Sequence, residues 1–238
     1  MLKGKNALIT GGSSGYGKAA AKRLADEGVN VIIAARNEDA LKKAREETGS
    51  ADIFVMDVMK HENWEHAHDF IKNKYGKLDI LVNSAGGGVS IGEVAEQTIE
   101  NIDKSISLNL NSVIYGSKIF APMMKAAKTG TIINISSVCA KEAWPGFSVY
   151  AAAKWGVLGF SKGLYVELRP HNVRVTCLIP AAANTGFSKN AGIGANEKPL
   201  LLTANDIADS IYYICSLPQH AVVEELTIWG MDQEVIPL

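Results

Sequence analysis

The chain has 238 residues, of which 47% are hydrophobic and 21% charged, and its formal net charge is −1. Such a balanced charge argues against a nucleic-acid or anionic-membrane partner, and no apolar run approaches the roughly 20 residues that span a bilayer. The N-terminus enters a strand pattern without an apolar signal segment. The three cysteines show neither a disulfide framework nor metal-ligand spacing. We therefore expect a cytoplasmic, reduced protein.

Short β-branched runs alternate with longer amphipathic stretches from end to end. Strands are predicted at 6–10, 29–35, 53–56, 78–82, 131–135, 173–179 and 225–229, and helices at 18–27, 38–48, 61–74, 99–127, 149–168 and 205–216. Apolar strands separated by helices predict a parallel sheet covered on both faces, in an α/β, doubly wound arrangement of about seven strands. No repeat or linker interrupts the pattern, so residues 1–238 are expected to form a single domain.

One segment, 181–202, lacks periodicity and is rich in Gly, Ala, Asn and Lys. It follows the carboxyl end of a predicted strand, where open α/β sheets bind ligands. A loop this long in a compact domain is often functional. We therefore predict a substrate lid around 184–202; the alternative is a mobile surface excursion.

A glycine loop, residues 11–17, separates the first strand from the first helix. Glycines there permit a tight turn and let backbone N–H groups approach a pyrophosphate at the helix N-terminus. The alternative is an ordinary glycine-rich turn. The loop residues expected to contact a dinucleotide are Gly11, Ser13, Ser14, Gly15, Tyr16 and Gly17.

The end of the second predicted strand carries Arg36 and Asn37, where NAD-binding chains usually place an acidic residue for the ribose 2′-hydroxyl. No carboxylate stands there to repel a 2′-phosphate, and the planar guanidinium of Arg36 is suited to bind one. The sequence therefore predicts NADP(H) over NAD(H). The alternative is that Arg36 is a solvated loop arginine.

Three polar side chains have the spacing of an acid–base site. Ser137 follows a buried strand, and Tyr150 and Lys154 lie four residues apart on one face of the next helix. A free phenol has a pKa of about 10, which an adjacent ammonium lowers. Tyr150 would then exchange a proton with a carbonyl or alcohol oxygen, and Ser137 would hydrogen-bond the same oxygen.

Two further groups of side chains lie near these motifs. His61, His66 and His68 are expected on a solvated helix face, so no metal site is predicted. Trp144 and Phe147 lie between Ser137 and Tyr150 in the sequence. They either form a wall of the substrate pocket or are ordinary packing aromatics.

Taken together, the motifs resemble those of the short-chain dehydrogenase/reductase family over nearly the full chain. They occupy 10–17, Asp57-Val58, 83–86, Asn109, Ser137, Tyr150-x-x-x-Lys154 and 180–185. The resemblance implies a Rossmann domain whose helices at 99–127 and 149–168 pack against a partner subunit, as a homodimer or homotetramer.

The resemblance also implies roles for individual residues. Asp57 and Val58 would hold the adenine, Asn109 would be the fourth catalytic residue, and Lys154 would also bind the nicotinamide ribose. The residues that would line the cofactor cleft are Asn83, Ala85, Gly86, Pro180, Ala181, Ala183 and Thr185. Ala181 replaces the usual glycine, and the Asp-Gly-Gly expected near the end of the chain is missing.

The resulting expectation is an NADP(H)-dependent alcohol dehydrogenase or carbonyl reductase. The residues at 216–220 and the chain end are similar to the 3-hydroxy acid and serine dehydrogenases of the family, which is one alternative for the substrate. A hydroxysteroid or other bulky alcohol is another. An alternative of a different class is a non-catalytic regulatory protein that binds NADPH.

Overall fold

The computed structural model describes residues 2–89, 91–183 and 201–233. Its strands are β1 (Asn6–Thr10), β2 (Asn30–Ala35), β3 (Asp52–Val55), β4 (Ile80–Asn83), β5 (Gly130–Ile135), β6 (Val173–Pro180) and β7 (Glu225–Ile228). Within the described residues they form one sheet, in the order β3-β2-β1-β4-β5-β6-β7, and every neighbouring pair is parallel. The predicted doubly wound α/β sheet is confirmed.

The helices connect these strands in the alternation that the sequence predicts. They are α1 (Gly15–Asp26), α2 (Glu38–Thr48), α3 (His61–Tyr75), α4 (Ile99–Ile106), α5 (Ser112–Ala127), α6 (Ser148–Leu168) and α7 (Ala204–Ser216). A π-helical segment, Ser107–Asn111, joins α4 to α5 inside the helix predicted at 99–127. Among the described residues, no helix has the length and apolar character needed to cross a bilayer.

Successive side chains of each strand point to opposite faces of the sheet, and this alternation builds two hydrophobic layers. Ala7 and Ile9 of β1 pack in one layer with α1, α2 and α7, whereas Leu8 packs in the other with α3 and α5. Helix α6 contributes to both layers. Because both faces are covered, the strands have the nearly continuous apolar sequences on which the prediction was based.

The carboxyl ends of β1 and β4 mark the point where the chain reverses its direction across the sheet. From β1 the sheet grows first to β2 and β3, and then on the other side from β4 to β7. A crevice forms outside the strand ends at such a switch point. The sequence motifs at 10–17 and 83–86, and Ser137 after β5, all lie at this edge.

Candidate active site

The glycine loop is packed too tightly for side chains at two positions. A Cβ added to Gly12 would lie 2.6 Å from Ile33 Cβ, and one added to Gly17 would lie 2.5 Å from the Gly11 carbonyl oxygen. Gly15 has a φ of +51°, which favours glycine. The loop therefore keeps its backbone against the sheet and leaves the start of α1 at the crevice.

The N-terminus of α1 is well suited to a phosphate group. Its N-cap residue, Ser14, makes no side-chain capping bond, and the first turn contains no acidic residue. The first backbone N–H groups of a helix have no intrahelical partner, and the helix dipole favours an anion there. A dinucleotide pyrophosphate fits these donors, with Ser13 and Ser14 beside it.

Thr10 links the glycine loop to the segment after β4. Its hydroxyl oxygen accepts hydrogen bonds from the backbone N–H groups of Ser84, at 3.1 Å, and Ala85, at 3.0 Å. A Cβ on Gly11 would lie 3.1 Å from Ala85 Cα. The two segments predicted to line the cofactor cleft are therefore adjacent, and Thr10, the first residue of the 10–17 motif, connects them.

Arg36 and Asn37 follow β2 at the same edge. Arg36 is exposed and forms no ion pair within the described residues. The Asn37 side chain caps α2, because its Oδ1 accepts from Ala40 N at 2.9 Å. Arg36 thus has its guanidinium available for an anion, whereas the Asn37 carbonyl is already used.

The Asp57-Val58 motif follows the end of β3. Oδ1 of Asp57 accepts from Met59 N at 3.0 Å, and Asn63 Oδ1 accepts from Asp57 N at 2.8 Å. Val58 is buried, and its carbonyl accepts from the Trp64 indole at 2.9 Å. Both residues are thereby held in a fixed turn.

Asn83 is also buried, but its side chain faces the core. Its amide donates to Asn134 Oδ1 at 2.8 Å, across the β4–β5 pair. The neighbouring Ala85 and Gly86 are accessible. A nucleotide contact from this segment would therefore come from the later residues or from the backbone.

Ser137 and Tyr150 lie together, as the sequence predicts. Ser137 is the N-cap of a short 3-10 turn, where its Oγ accepts from Cys139 N at 3.2 Å. Its hydroxyl also makes a hydrogen bond with Tyr150. The Phe147 ring packs edge-on against Tyr150, with ring centroids 6.2 Å apart. Trp144 is half-buried against the core.

Lys154 is buried one helical turn after Tyr150. Its Nζ donates to the Ile135 carbonyl at 2.9 Å and lies 5.6 Å from the centre of the Tyr150 ring. Burial lowers the pKa of Lys154 from 10.5 to about 8. The titratable groups that face it in the described structure are Tyr150, Cys139 and Cys177.

The pKa of Tyr150 differs from the prediction. Burial raises it well above its ordinary value, and the Cys139 thiol adds to this effect, while the hydrogen bond from Ser137 opposes it. Lys154 does not offset this rise, and its ammonium donates to the Ile135 carbonyl at 2.9 Å. The expectation of a depressed phenol pKa is therefore wrong for this structure, in which Tyr150 is a neutral phenol.

Asn109 lies in the π-helical segment and is fully buried. Its side-chain amide donates to the Gly87 and Ser105 carbonyls, and its Oδ1 accepts from Gly87 N at 2.9 Å. A Cβ on Gly86 would lie 3.0 Å from Asn109 Oδ1 and 3.5 Å from Lys154 Nζ. Asn109 and Lys154 therefore flank the same point. π-Helical segments often occur at functional sites.

The segment after β6 is anchored by the end of the chain. Ala181 N donates to the Ile228 carbonyl at 2.8 Å, and Ala182 N donates to Gln233 Oε1 at 2.7 Å. Pro180 is buried, and Ala183 forms a parallel bridge with Leu202. Thr185 and residues 184–200 of the predicted lid lie outside the described residues.

No cluster of three or more potential metal ligands from His, Cys, Asp and Glu occurs in the described part of the chain. His61 stacks edge-on against Tyr115, and its Nδ1 lies 3.6 Å from Glu65.

Cys139 is a site residue that sequence reasoning did not assign. Its position two residues after Ser137 was the available signal.

Known proteins are similar to this chain in sequence and in fold. Residues 5–196 match the family model described as short chain dehydrogenase. The chain is 30% identical over 230 residues to an uncharacterized oxidoreductase of Staphylococcus aureus, covering 96% of this chain and 98% of that protein. It is similar to the closed form of serine dehydrogenase complexed with NADP+, with a TM-score of 0.92 and 26% identity over 98% of both chains. It is also similar to a 3-ketoacyl-(acyl-carrier-protein) reductase from Brucella melitensis complexed with NADH, with a TM-score of 0.89 and 30% identity over 97% of this chain and 99% of that one. The chain therefore belongs to the short-chain dehydrogenase family and is an oxidoreductase.

Proposed function

We propose that the protein is an NADP(H)-dependent oxidoreductase that interconverts an alcohol and a carbonyl, with Tyr150 as general acid and base. The observation that carries this proposal is the meeting of Ser137, Tyr150 and Lys154 at the end of β5. They lie at the same sheet edge as the uncapped N-terminus of α1.

Each residue of this group has a distinct part in the chemistry. When bound, the nicotinamide supplies or accepts the hydride. During reduction Tyr150 donates its proton to the carbonyl oxygen, for which its high pKa keeps it in the required neutral form. Ser137 donates a hydrogen bond to the same oxygen. The Lys154 ammonium stabilises the phenolate that remains. Asn109, which flanks the same point as Lys154, supports the return of a proton to Tyr150.

Replacing Tyr150 with Phe tests this mechanism. NADPH should bind with unchanged affinity, while turnover falls by about 10² to 10⁴, the usual contribution of a general acid. Tyr165→Phe, on the same helix but beneath Arg169, is the matched control and should keep full turnover. Normal turnover by the Tyr150 variant would remove this residue from the mechanism.

The pKa of Lys154 sets a pH limit on reduction. The amine is charged below about pH 8 and loses its proton as the pH rises through that value. The rate of carbonyl reduction should therefore fall on the alkaline side, with a midpoint near pH 8. A rate that stays constant to pH 10 would show that the charge on Lys154 is not needed.

The proposed preference for NADP(H) rests on Arg36, which is exposed, has no ion-pair partner in the described structure, and directly follows β2. The similar serine dehydrogenase was solved with NADP+ and the similar reductase with NADH. In Arg36→Ala the Kd for NADPH should rise about 10- to 100-fold, as for loss of a charged hydrogen bond, with little change for NADH. Equal affinity of the wild type for both cofactors would reject the preference.

The substrate class is best tested with a panel. Similarity to serine dehydrogenase favours serine and 3-hydroxy acids as a second, narrower candidate. The Phe147 ring against Tyr150 is compatible with a hydroxysteroid or another bulky alcohol. Oxidation or reduction of each class is followed by the absorbance of reduced cofactor. No turnover across hydroxy acids, small carbonyls and steroids would favour a regulatory NADPH-binding protein.

We further propose that residues 1–238 act as one domain in a two-fold symmetric homodimer or homotetramer in the cytoplasm. Helix α6 exposes Trp155 (54%) and Val166 (69%) on one face, with open space at Gly159 and Gly163 between them. Such an apolar face is suited to a partner subunit. The three cysteines are buried and unpaired. Light scattering that gives a monomer would contradict the oligomer.

A further inference from the structure

We propose that Ser136, which lies outside the catalytic group above, is a positioning residue that holds Lys154 in its working orientation. This inference rests on the proposed role of Lys154. The structure holds that lysine at two points. Ser136 Oγ donates to the Lys154 backbone carbonyl at 2.9 Å, and the Lys154 ammonium donates to the Ile135 carbonyl at 2.9 Å.

Both contacts are shielded from water. Ser136 is 3% exposed and Lys154 is 4% exposed. The backbone of Ser136 is itself fixed, because its N–H donates to the Leu178 carbonyl at 2.8 Å and continues the pairing of β5 with β6. The Ser136 hydroxyl therefore joins helix α6 to the rigid centre of the sheet.

The backbone hydrogen bonds of α6 do not require the bond from the Ser136 hydroxyl to the Lys154 carbonyl. Lys154 lies in the interior of α6, where its carbonyl accepts from the helix itself. A buried hydroxyl is costly unless it is hydrogen-bonded, so an alanine would fill the same place without that cost. Ser136 also makes a hydrogen bond with the Cys177 thiol. This contact does not account for a serine at position 136, because the thiol also has Ser161 as a partner.

The two-point contact has a geometric consequence. A lysine ammonium stands on a flexible four-carbon stem, so a single contact at Nζ leaves the rest of the side chain free to change its conformation. Fixing the Lys154 carbonyl as well sets the rotation of α6 about its axis. Since Ser137 contacts Tyr150, three consecutive residues, 135–137, set the position of α6 at the end of β5.

The test compares Ser136→Ala with Ser161→Ala. Ser161 is also buried, and its hydroxyl also donates to a carbonyl of α6, that of Val157 at 2.7 Å, but it does not contact Lys154. The probe reaction is NADPH-dependent reduction of whichever carbonyl compound the panel identifies. In Ser136→Ala kcat should fall about tenfold, as for loss of one buried hydrogen bond, whereas Ser161→Ala should keep it within about twofold.

A second measurement does not depend on turnover. Lys154 is titrated by NMR in protein labelled at the lysine side chains, with Lys154→Met to assign its signal. The groups that face the amine are Tyr150, Cys139 and Cys177. A less confined amine is better solvated, so its titration midpoint should move from about 8 toward 10.5 in Ser136→Ala and stay unchanged in Ser161→Ala.

Ser136→Cys keeps a weak donor of similar shape, so its kcat and midpoint should lie between those of the wild type and Ser136→Ala. It also replaces Ser136→Ala if that variant fails to fold. An unchanged Lys154 midpoint in Ser136→Ala, or equal shifts in both alanine variants, would overturn the inference. If Tyr150→Phe retained turnover, the proposed mechanism would fail, yet the NMR titration would still decide whether Ser136 positions Lys154.

Discussion

Replacing Lys154 with Met should stabilise the folded protein at neutral pH while abolishing turnover. The difference between the ordinary lysine pKa of 10.5 and about 8 means that keeping Lys154 charged in the fold costs about 3 kcal/mol. Loss of its hydrogen bond to the Ile135 carbonyl offsets about 1–2 kcal/mol. The net gain in the free energy of unfolding is about 1–2 kcal/mol, or roughly 2–8 °C in Tm for a chain of this size.

The pH dependence of this difference is the sharper measurement. Between pH 8 and 10.5 the unfolded chain holds a proton on Lys154 that the folded protein has released, so the stability of the wild type rises with pH in that range. The stability of Lys154→Met relative to the wild type should therefore fall by about 2–3 kcal/mol between pH 7 and pH 10, which turns its gain at pH 7 into a loss of about 1 kcal/mol at pH 10.

Urea unfolding at fixed protein concentration, at pH 7, 8, 9 and 10, measures the stability difference between Lys154→Met and the wild type and its change with pH. Lys72→Met, at an exposed position on α3, is the control and should differ from the wild type by the same amount at every pH. A stability difference for Lys154→Met that does not change with pH would refute the reasoning, since it would mean that burial does not disfavour the charge on Lys154.

Three other substitutions test contacts elsewhere in the fold. Arg174→Met should lower the free energy of unfolding in urea by about 2–4 kcal/mol, because the buried guanidinium donates to carbonyls at the end of α7 that would lose their partner; an unchanged value would contradict this. Gly116→Ala should cost about 1–3 kcal/mol in the same assay, because its Cβ would lie 2.6 Å from the rigid Trp64 ring; a stabilised variant would show that the ring can move. Gln233→Ala should raise the Kd for NADPH about two- to tenfold by releasing Ala182 N, whereas Gln233→Glu keeps the acceptor and should bind normally; equal affinities in all three proteins would rule out this contact as an anchor of the cofactor segment.

The elements that sequence predicted well are those whose signal is local. The strands at 6–10 and 173–180 differ from the prediction by at most one residue, because continuous apolar runs mark buried parallel strands. The junction of α4 and α5 was missed. Residues 107–111 continue the helical pattern, and only their packing, with Asn109 turned into the core, produces the π geometry.

In the candidate site, too, features with a local sequence signal were predicted and features that depend on packing were not. The spacing of Tyr150 and Lys154 was enough to predict that they share a helix face near Ser137. The pKa of Tyr150 was not predictable, because its sign depends on how completely neighbours such as Phe147 exclude water. The contact of Ser136 with Lys154 could not be predicted for a different reason, because its partner is a backbone atom 18 residues away in the sequence.

Burial disfavours the charged form of both titrating groups of the proposed mechanism. It raises the pKa of Tyr150 and lowers that of Lys154, so the folded protein disfavours charge on either side chain. In the proposed mechanism, proton donation by Tyr150 nevertheless creates a phenolate in this same dry region. The Lys154 charge that stabilises the phenolate is therefore most effective there, since little water screens it, and it is also most costly to keep there. The gain in stability and the loss of turnover expected for Lys154→Met are therefore two consequences of one proposed arrangement, in which the fold gives up stability to hold a charge where the reaction would need it.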